Sequence, residues 1–182
     1  VGSEMCIRDS HVAELVLGAN FRFGRGRVGD LSTLHSLGGR YGFLVHKVEA
    51  STFRGQIISS SRIREELSAG RVADSATMLG SPFVLIGKVS VGDGRGRLIG
   101  FPTANIEVEG DIPVSDGVYV TEALVEGRRY QSMTHIGSRP TFNIHARTVE
   151  TNLFDFSRDV YGHNLQLFFH EWIREVKTFE ST

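Results

Sequence analysis

A change of hydrophobic grammar near residue 80 constrains this chain more than any other feature. Before it, strand-like and helix-like stretches alternate. Val12–Gly18 (VAELVLG) predicts a buried strand, residues 31–37 a helix, and residues 41–48 (YGFLVHKV) a second strand. Residues 59–70 predict a helix, with serines to cap its start, Gly70 to end it, and Ile63 and Leu67 four apart on one face. A second short helix is expected over residues 72–79, stopped by Gly80. A β-α-β-α rhythm implies a parallel α/β sheet, because parallel neighbours need a crossover between them.

After residue 80 the period shortens to two. Strands are predicted over residues 83–91 (FVLIGKVSV), 117–125, 129–136, 148–156 and 164–172. Leu165, Leu167 and Phe169 fall on one face of the last, with Gln166 and Phe168 on the other. Turn signals stand at Glu126-Gly127, Gly137-Ser138 and Tyr161-Gly162. Short strands at this spacing predict a closed barrel or a sandwich. The fold class expected is therefore α/β plus all-β, with the division between residues 80 and 81.

Composition excludes several classes. Of 182 residues, 23% are charged and the net charge is −1, so no excess points to nucleic acid or to a membrane surface. No apolar run reaches bilayer-spanning length. The single cysteine, Cys6, supports neither a disulfide framework nor a cysteine metal site, and a cytoplasmic location is expected. The first ten residues, VGSEMCIRDS, share no pattern with the rest of the chain. They are read as an extraneous leader, with the true start of the protein upstream; a natural disordered leader is the alternative.

Gly24-Arg-Gly-Arg-Val-Gly29 matches the dinucleotide fingerprint G-x-G-x-x-G, and Glu49 lies where a ribose-binding acid would sit. The context is wrong, because Asn20-Phe-Arg-Phe23 separates the strand from the first glycine. A flexible, basic glycine-rich loop is expected instead of an NAD site.

The chemistry is expected in Gly92–Asn105 (GDGRGRLIGFPTAN). Gly92 and Gly96 let the backbone approach a phosphate, and Arg95 and Arg97 add charge for its oxygens. By itself the hexapeptide is better described as a solvated basic hairpin turn. Thr103 and Asn105 stand two residues apart, so in an extended segment both leave the same face. Each offers an uncharged hard oxygen, which suits magnesium already neutralised by ATP phosphates. Pro102 would hold the approach rigid, although a proline-initiated turn also accounts for the segment. Neither a Walker A pattern nor the protein-kinase signature is present, so a phosphoryl transferase here needs another scaffold.

Ordered blocks extend the signal. They are Gly87–Ile106, Pro113 with Gly117-Val-Tyr119, Ile136–Phe142, Glu150–Phe156, Asp159–Gly162 and Ile173–Lys177. Over residues 80–179 the chain resembles the riboflavin kinase family. The resemblance implies a small, six-stranded antiparallel barrel and transfer of the ATP γ-phosphate to riboflavin. Thr103 and Asn105 would be the magnesium ligands and Glu150 the catalytic base; Gly92, Arg95, Gly96, Arg97, Phe101 and Pro102 would hold the nucleotide. Without it, Glu150 reads as a solvent-facing strand carboxylate.

Gly18–Gly24 (GANFRFG) and Ile58–Arg64 (ISSSRIR) resemble the later part of the FMN adenylyltransferase domain of bacterial bifunctional FAD synthetases, a partial Rossmann-like nucleotidyltransferase region over residues 11–80. Within it, Ser60 and Ser61 at a helix start, with Arg62 or Arg64, suit ATP phosphates, and Ser60, Ser61 and Arg64 are the expected contacts; helix capping followed by a surface arginine is the plain alternative. None of the histidines forms the HxGH motif of that superfamily, so adenylyl transfer is not expected of this chain by itself. The family usually continues with a helix that covers the flavin site, expected to be missing here. The expected partners are riboflavin and ATP, with Mg2+ as cofactor and no nucleic acid, membrane or obligate protein partner. A non-catalytic flavin- or nucleotide-binding fragment is the alternative.

Overall fold

The computed structural model describes residues 11–91, 103–138 and 147–176. Two compact units divide at Ile58/Ser59. The boundary by packing thus falls earlier than the change of periodicity near residue 80. Both helices of residues 60–79 belong with the strand-rich unit.

In the first unit β1 (Glu14–Gly18) and β2 (Leu44–Val48) pair in parallel, Glu14 opposite Leu44 through Gly18 opposite Val48. Helix α1 (Leu31–Tyr41) connects them. Asp30 caps its start, accepting the Thr33 N–H at 3.0 Å. Gly42 ends it at φ 81°, a left-handed conformation that costs glycine little. The expectation of a buried first strand is corrected. Exposed and half-buried positions alternate along β1, and Val16 is 65% exposed. The three-residue apolar run Leu15–Leu17 does not discriminate between a strand covered on both faces and one covered on a single face. A short hairpin, β3 (Thr52–Phe53) and β4 (Gln56–Ile57), comes next in the chain.

The glycine-rich loop does not follow directly on a strand, because β1 ends at Gly18 and Gly24 comes six residues later. Phe23 and Gly29 exchange both backbone hydrogen bonds at 3.0 Å and close the loop on itself. A side chain at Gly29 would lie 2.6 Å from the Phe23 ring.

The second unit opens with α2 (Ser60–Ser68) and α3 (Val72–Leu79). Ser59 caps α2 through the Arg62 N–H. Gly70 follows the C-cap at φ 78°, donating to the Leu67 carbonyl while Arg71 donates to Glu66, the paired bonds of a Schellman ending. Gly80 ends α3 at φ 77°.

Six antiparallel strands then close a barrel: β5 (Phe83–Ser90), β6 (Ala104–Glu107), β7 (Gly117–Val125), β8 (Arg128–Ser138), β9 (Arg147–Leu153) and β10 (Asn164–Arg174), in the order β10-β5-β6-β9-β8-β7. Leu165, Leu167 and Phe169 are fully buried, as the alternation predicts. Each such side chain contributes about 1.5–3 kcal/mol over its exposed state. Glu126 and Gly127, both at positive φ, make the β7–β8 turn. Gly137-Ser138 is not a turn, because β8 continues through both residues. Gly137 answers a close approach instead: a Cβ there would lie 2.9 Å from the His135 ring.

Candidate active site on the barrel

Register places the site. Asn105 on β6 stands directly opposite Glu150 on β9, and Glu150 stands opposite His135 on β8. Ala104 and Ile106 are buried, as are Val149 and Thr151, so these alternate residues face the core. Asn105 and Glu150 share the outer face and are both partly exposed. Directly paired residues on one face bring their Cβ atoms within about 4.5–5.5 Å.

A buried hydroxyl row on the opposite face supports this register. Thr121 Oγ1 lies 2.8 Å from Ser132 Oγ and 2.7 Å from Thr134 Oγ1, and Thr134 donates to Thr151 Oγ1 at 3.0 Å. A one-residue slip of β9 would expose Thr151 and drive the Glu150 carboxylate into the core.

Two cavities flank this face. One, of about 530 Å³, is lined by Asn105, Glu107, Asp111, Arg147 and Thr148 among others. The other, of about 420 Å³, is lined by Thr103, Phe156, Arg158, Asp159 and Tyr161, with Val89 and Leu153 at its apolar side. The two proposed metal ligands thus open on different cavities, Thr103 lying one residue before β6.

Arg147 braces the first cavity. Its guanidinium donates to the Ile112 carbonyl at 2.6 Å, the Val114 carbonyl and Asp116 Oδ1 at 2.9 Å. This ties the segment before β7 to the start of β9. Spacing did not reveal Arg147 or Arg158, because their partners lie about thirty positions away in the chain.

Ser60 and Ser61 lie in the first turn of α2 and Arg64 further along it, all three exposed. They ride on the barrel unit. Gly92, Arg95, Gly96, Arg97, Phe101 and Pro102 lie outside the described residues. Among the described residues, no helix is long and apolar enough to cross a membrane.

The fold and this site define a barrel module carrying a paired asparagine and glutamate, preceded by a small α/β unit. The family model for riboflavin kinase matches residues 79–182, and that for FAD synthetase matches residues 3–62, beginning within the segment read as a leader. The chain belongs to the riboflavin kinase family. It is 35% identical over 180 residues to the bifunctional riboflavin kinase/FMN adenylyltransferase of Escherichia coli K12, covering 98% of this chain and 58% of that protein. The Bacillus subtilis protein of the same name is 37% identical over 174 residues, covering 93% and 54%. The chain therefore spans a little over half the length of these curated relatives. A crystal structure from Streptococcus pneumoniae, described as a macrolide-efflux protein, superposes with a TM-score of 0.81 at 31% identity, covering 90% of this chain and 53% of that one.

Proposed function

We propose that this chain catalyses ATP-dependent phosphorylation of riboflavin to FMN, as the kinase part of a cytoplasmic protein that also adenylylates FMN to FAD. The observation that carries the reading is the cross-strand pairing of Asn105 with Glu150 on the outer face of β6 and β9. Glu150 accepts the proton of the riboflavin 5′-hydroxyl as that oxygen bonds to the γ-phosphorus. The bond from the γ-phosphorus to the bridging oxygen breaks, and ADP leaves. One positioned base suits a reaction in which the protein mainly aligns and stabilises charge.

Thr103 and Asn105 offer neutral oxygen donors, the chemistry a phosphate-bound hard cation accepts. When bound there, Mg2+ would offset charge on the transferred phosphoryl group. We assign the nucleotide to the cavity lined by Thr103, Phe156 and Tyr161, with its phosphates toward the start of β6. Gly92, Arg95, Gly96 and Arg97, with Phe101 and Pro102, would complete the nucleotide contacts. Ser60, Ser61 and Arg64 are assigned to the nucleotide of the adenylylation step.

Incubation with ATP, magnesium and riboflavin, followed by separation of the flavins, tests the reading. Glu150→Gln is expected to lower turnover by about 10²-fold or more, with riboflavin binding retained. Thr103→Ala and Asn105→Ala should weaken metal-dependent ATP use more than riboflavin binding. Unchanged turnover in Glu150→Gln would refute the base assignment.

A further inference from the structure

One wall of the 420 Å³ cavity lies outside the barrel strands, between the end of β9 and the start of β10. Residues 154–161 leave β9 and pass along the cavity mouth, contributing Phe156, Arg158 and Tyr161 to its lining. The β7–β8 hairpin anchors this segment from outside. Phe154 N–H donates to the Gln131 carbonyl at 2.9 Å. Arg158 then makes a fork: Nη1 donates to Glu126 Oε2 at 3.0 Å and Nη2 to the Tyr130 hydroxyl at 3.1 Å. The same guanidinium lies over the Phe156 ring, 5.2 Å from its centroid, and Tyr130 meets that ring edge-on at 4.9 Å. The second oxygen of Glu126 lies 3.4 Å from His163 Nδ1, at the end of the segment.

We propose that Arg158 is a positioning residue of the nucleotide cavity, holding Phe156 and the 154–161 segment in place from the Glu126–Tyr130 hairpin. This rests on ATP occupying that cavity, as proposed above. A single exposed ion pair localises little. Here one planar fork engages two acceptors and an aromatic face at once, which a lysine point charge does not reproduce. Asn105 and Glu150 are held by the β6–β9 ladder, independently of this fork. Arg158 therefore governs nucleotide affinity and leaves the chemical step alone.

The test uses the full chain, with Mg-ADP affinity from calorimetry, riboflavin affinity from flavin fluorescence and steady-state kinetics. Arg158→Met should weaken Mg-ADP binding and raise the ATP KM by about tenfold, with kcat within about twofold and riboflavin affinity unchanged. Arg158→Lys should recover only part of the loss. Glu126→Gln should weaken Mg-ADP in the same direction, and the double variant should be no weaker than Arg158→Met. Wild-type Mg-ADP affinity in Arg158→Met, equal loss of both ligands, or additive effects in the double variant would each overturn the role of Arg158. Wild-type protein that binds riboflavin without Mg-ADP would instead overturn the placement of ATP, and this role with it.

Discussion

Asp30 shows how much one side chain can organise. Its carboxylate accepts from Ser32 Oγ at 2.6 Å, from the Thr33 N–H at 3.0 Å and from Thr33 Oγ1 at 3.1 Å. These bonds favour the charged form, the Ser32 hydroxyl foremost, and lower its pKa from 3.8 to about 2. The folded chain therefore binds fewer protons than the unfolded chain between those values. The cap's contribution is complete above pH 4 and is lost as pH falls through about 2. An NMR titration following the Thr33 amide should show a midpoint near 2, absent in Asp30→Asn, which still caps the helix. A midpoint near 4 would mean the carboxylate does not hold these bonds in solution. Among candidate site residues, Glu150 was legible only through the family's ordered blocks. Nothing local separates it from a surface carboxylate, since its partner Asn105 is forty-five positions earlier.

At the scale of elements, the α2–α3 pair is joined to the barrel through Gly70. The Ser115 N–H donates to the Leu67 carbonyl at 3.1 Å. The Trp172 indole packs against both Gly70 and Gly117. A Cβ on Gly70 would meet Ser115 Oγ at 3.0 Å and Trp172 Cδ1 at 3.2 Å, on a backbone at φ 78°. Gly70→Ala should cost about 1–2 kcal/mol from the left-handed backbone alone, measured by urea denaturation. The sole tryptophan reports the same site, so its emission should shift to the red. Unaltered stability and emission would show that the helix pair does not dock there. Helix existence, caps and glycine stops in this segment were readable locally, because the relevant bonds span three to five residues. Which unit the helices join was not readable, because Leu67 and Val72 are apolar toward any core.

Across the whole molecule, burial is unequal. Among the described residues before Ser59, the buried apolar side chains are Leu34 and Phe43, whereas the second unit has a continuous core from Leu67 to Phe169. Opening the first unit exposes less apolar surface, so it should open more often. Limited proteolysis is expected to cut within residues 11–58 while the barrel survives, read by mass spectrometry; early cuts inside β7–β10 would contradict this. The local pattern by itself determined the period-two strands, the inward Leu165, Leu167 and Phe169, and the glycines that end helices. Each depends on backbone geometry within a few residues. Tertiary structure decided the barrel's strand order, the brief strand β6 and the meeting of Asn105 with Glu150. It also set the hairpin's hold on Arg158. Those outcomes depend on which distant strands pair and in what register, and period-two alternation is the same for every register that keeps the apolar face inward.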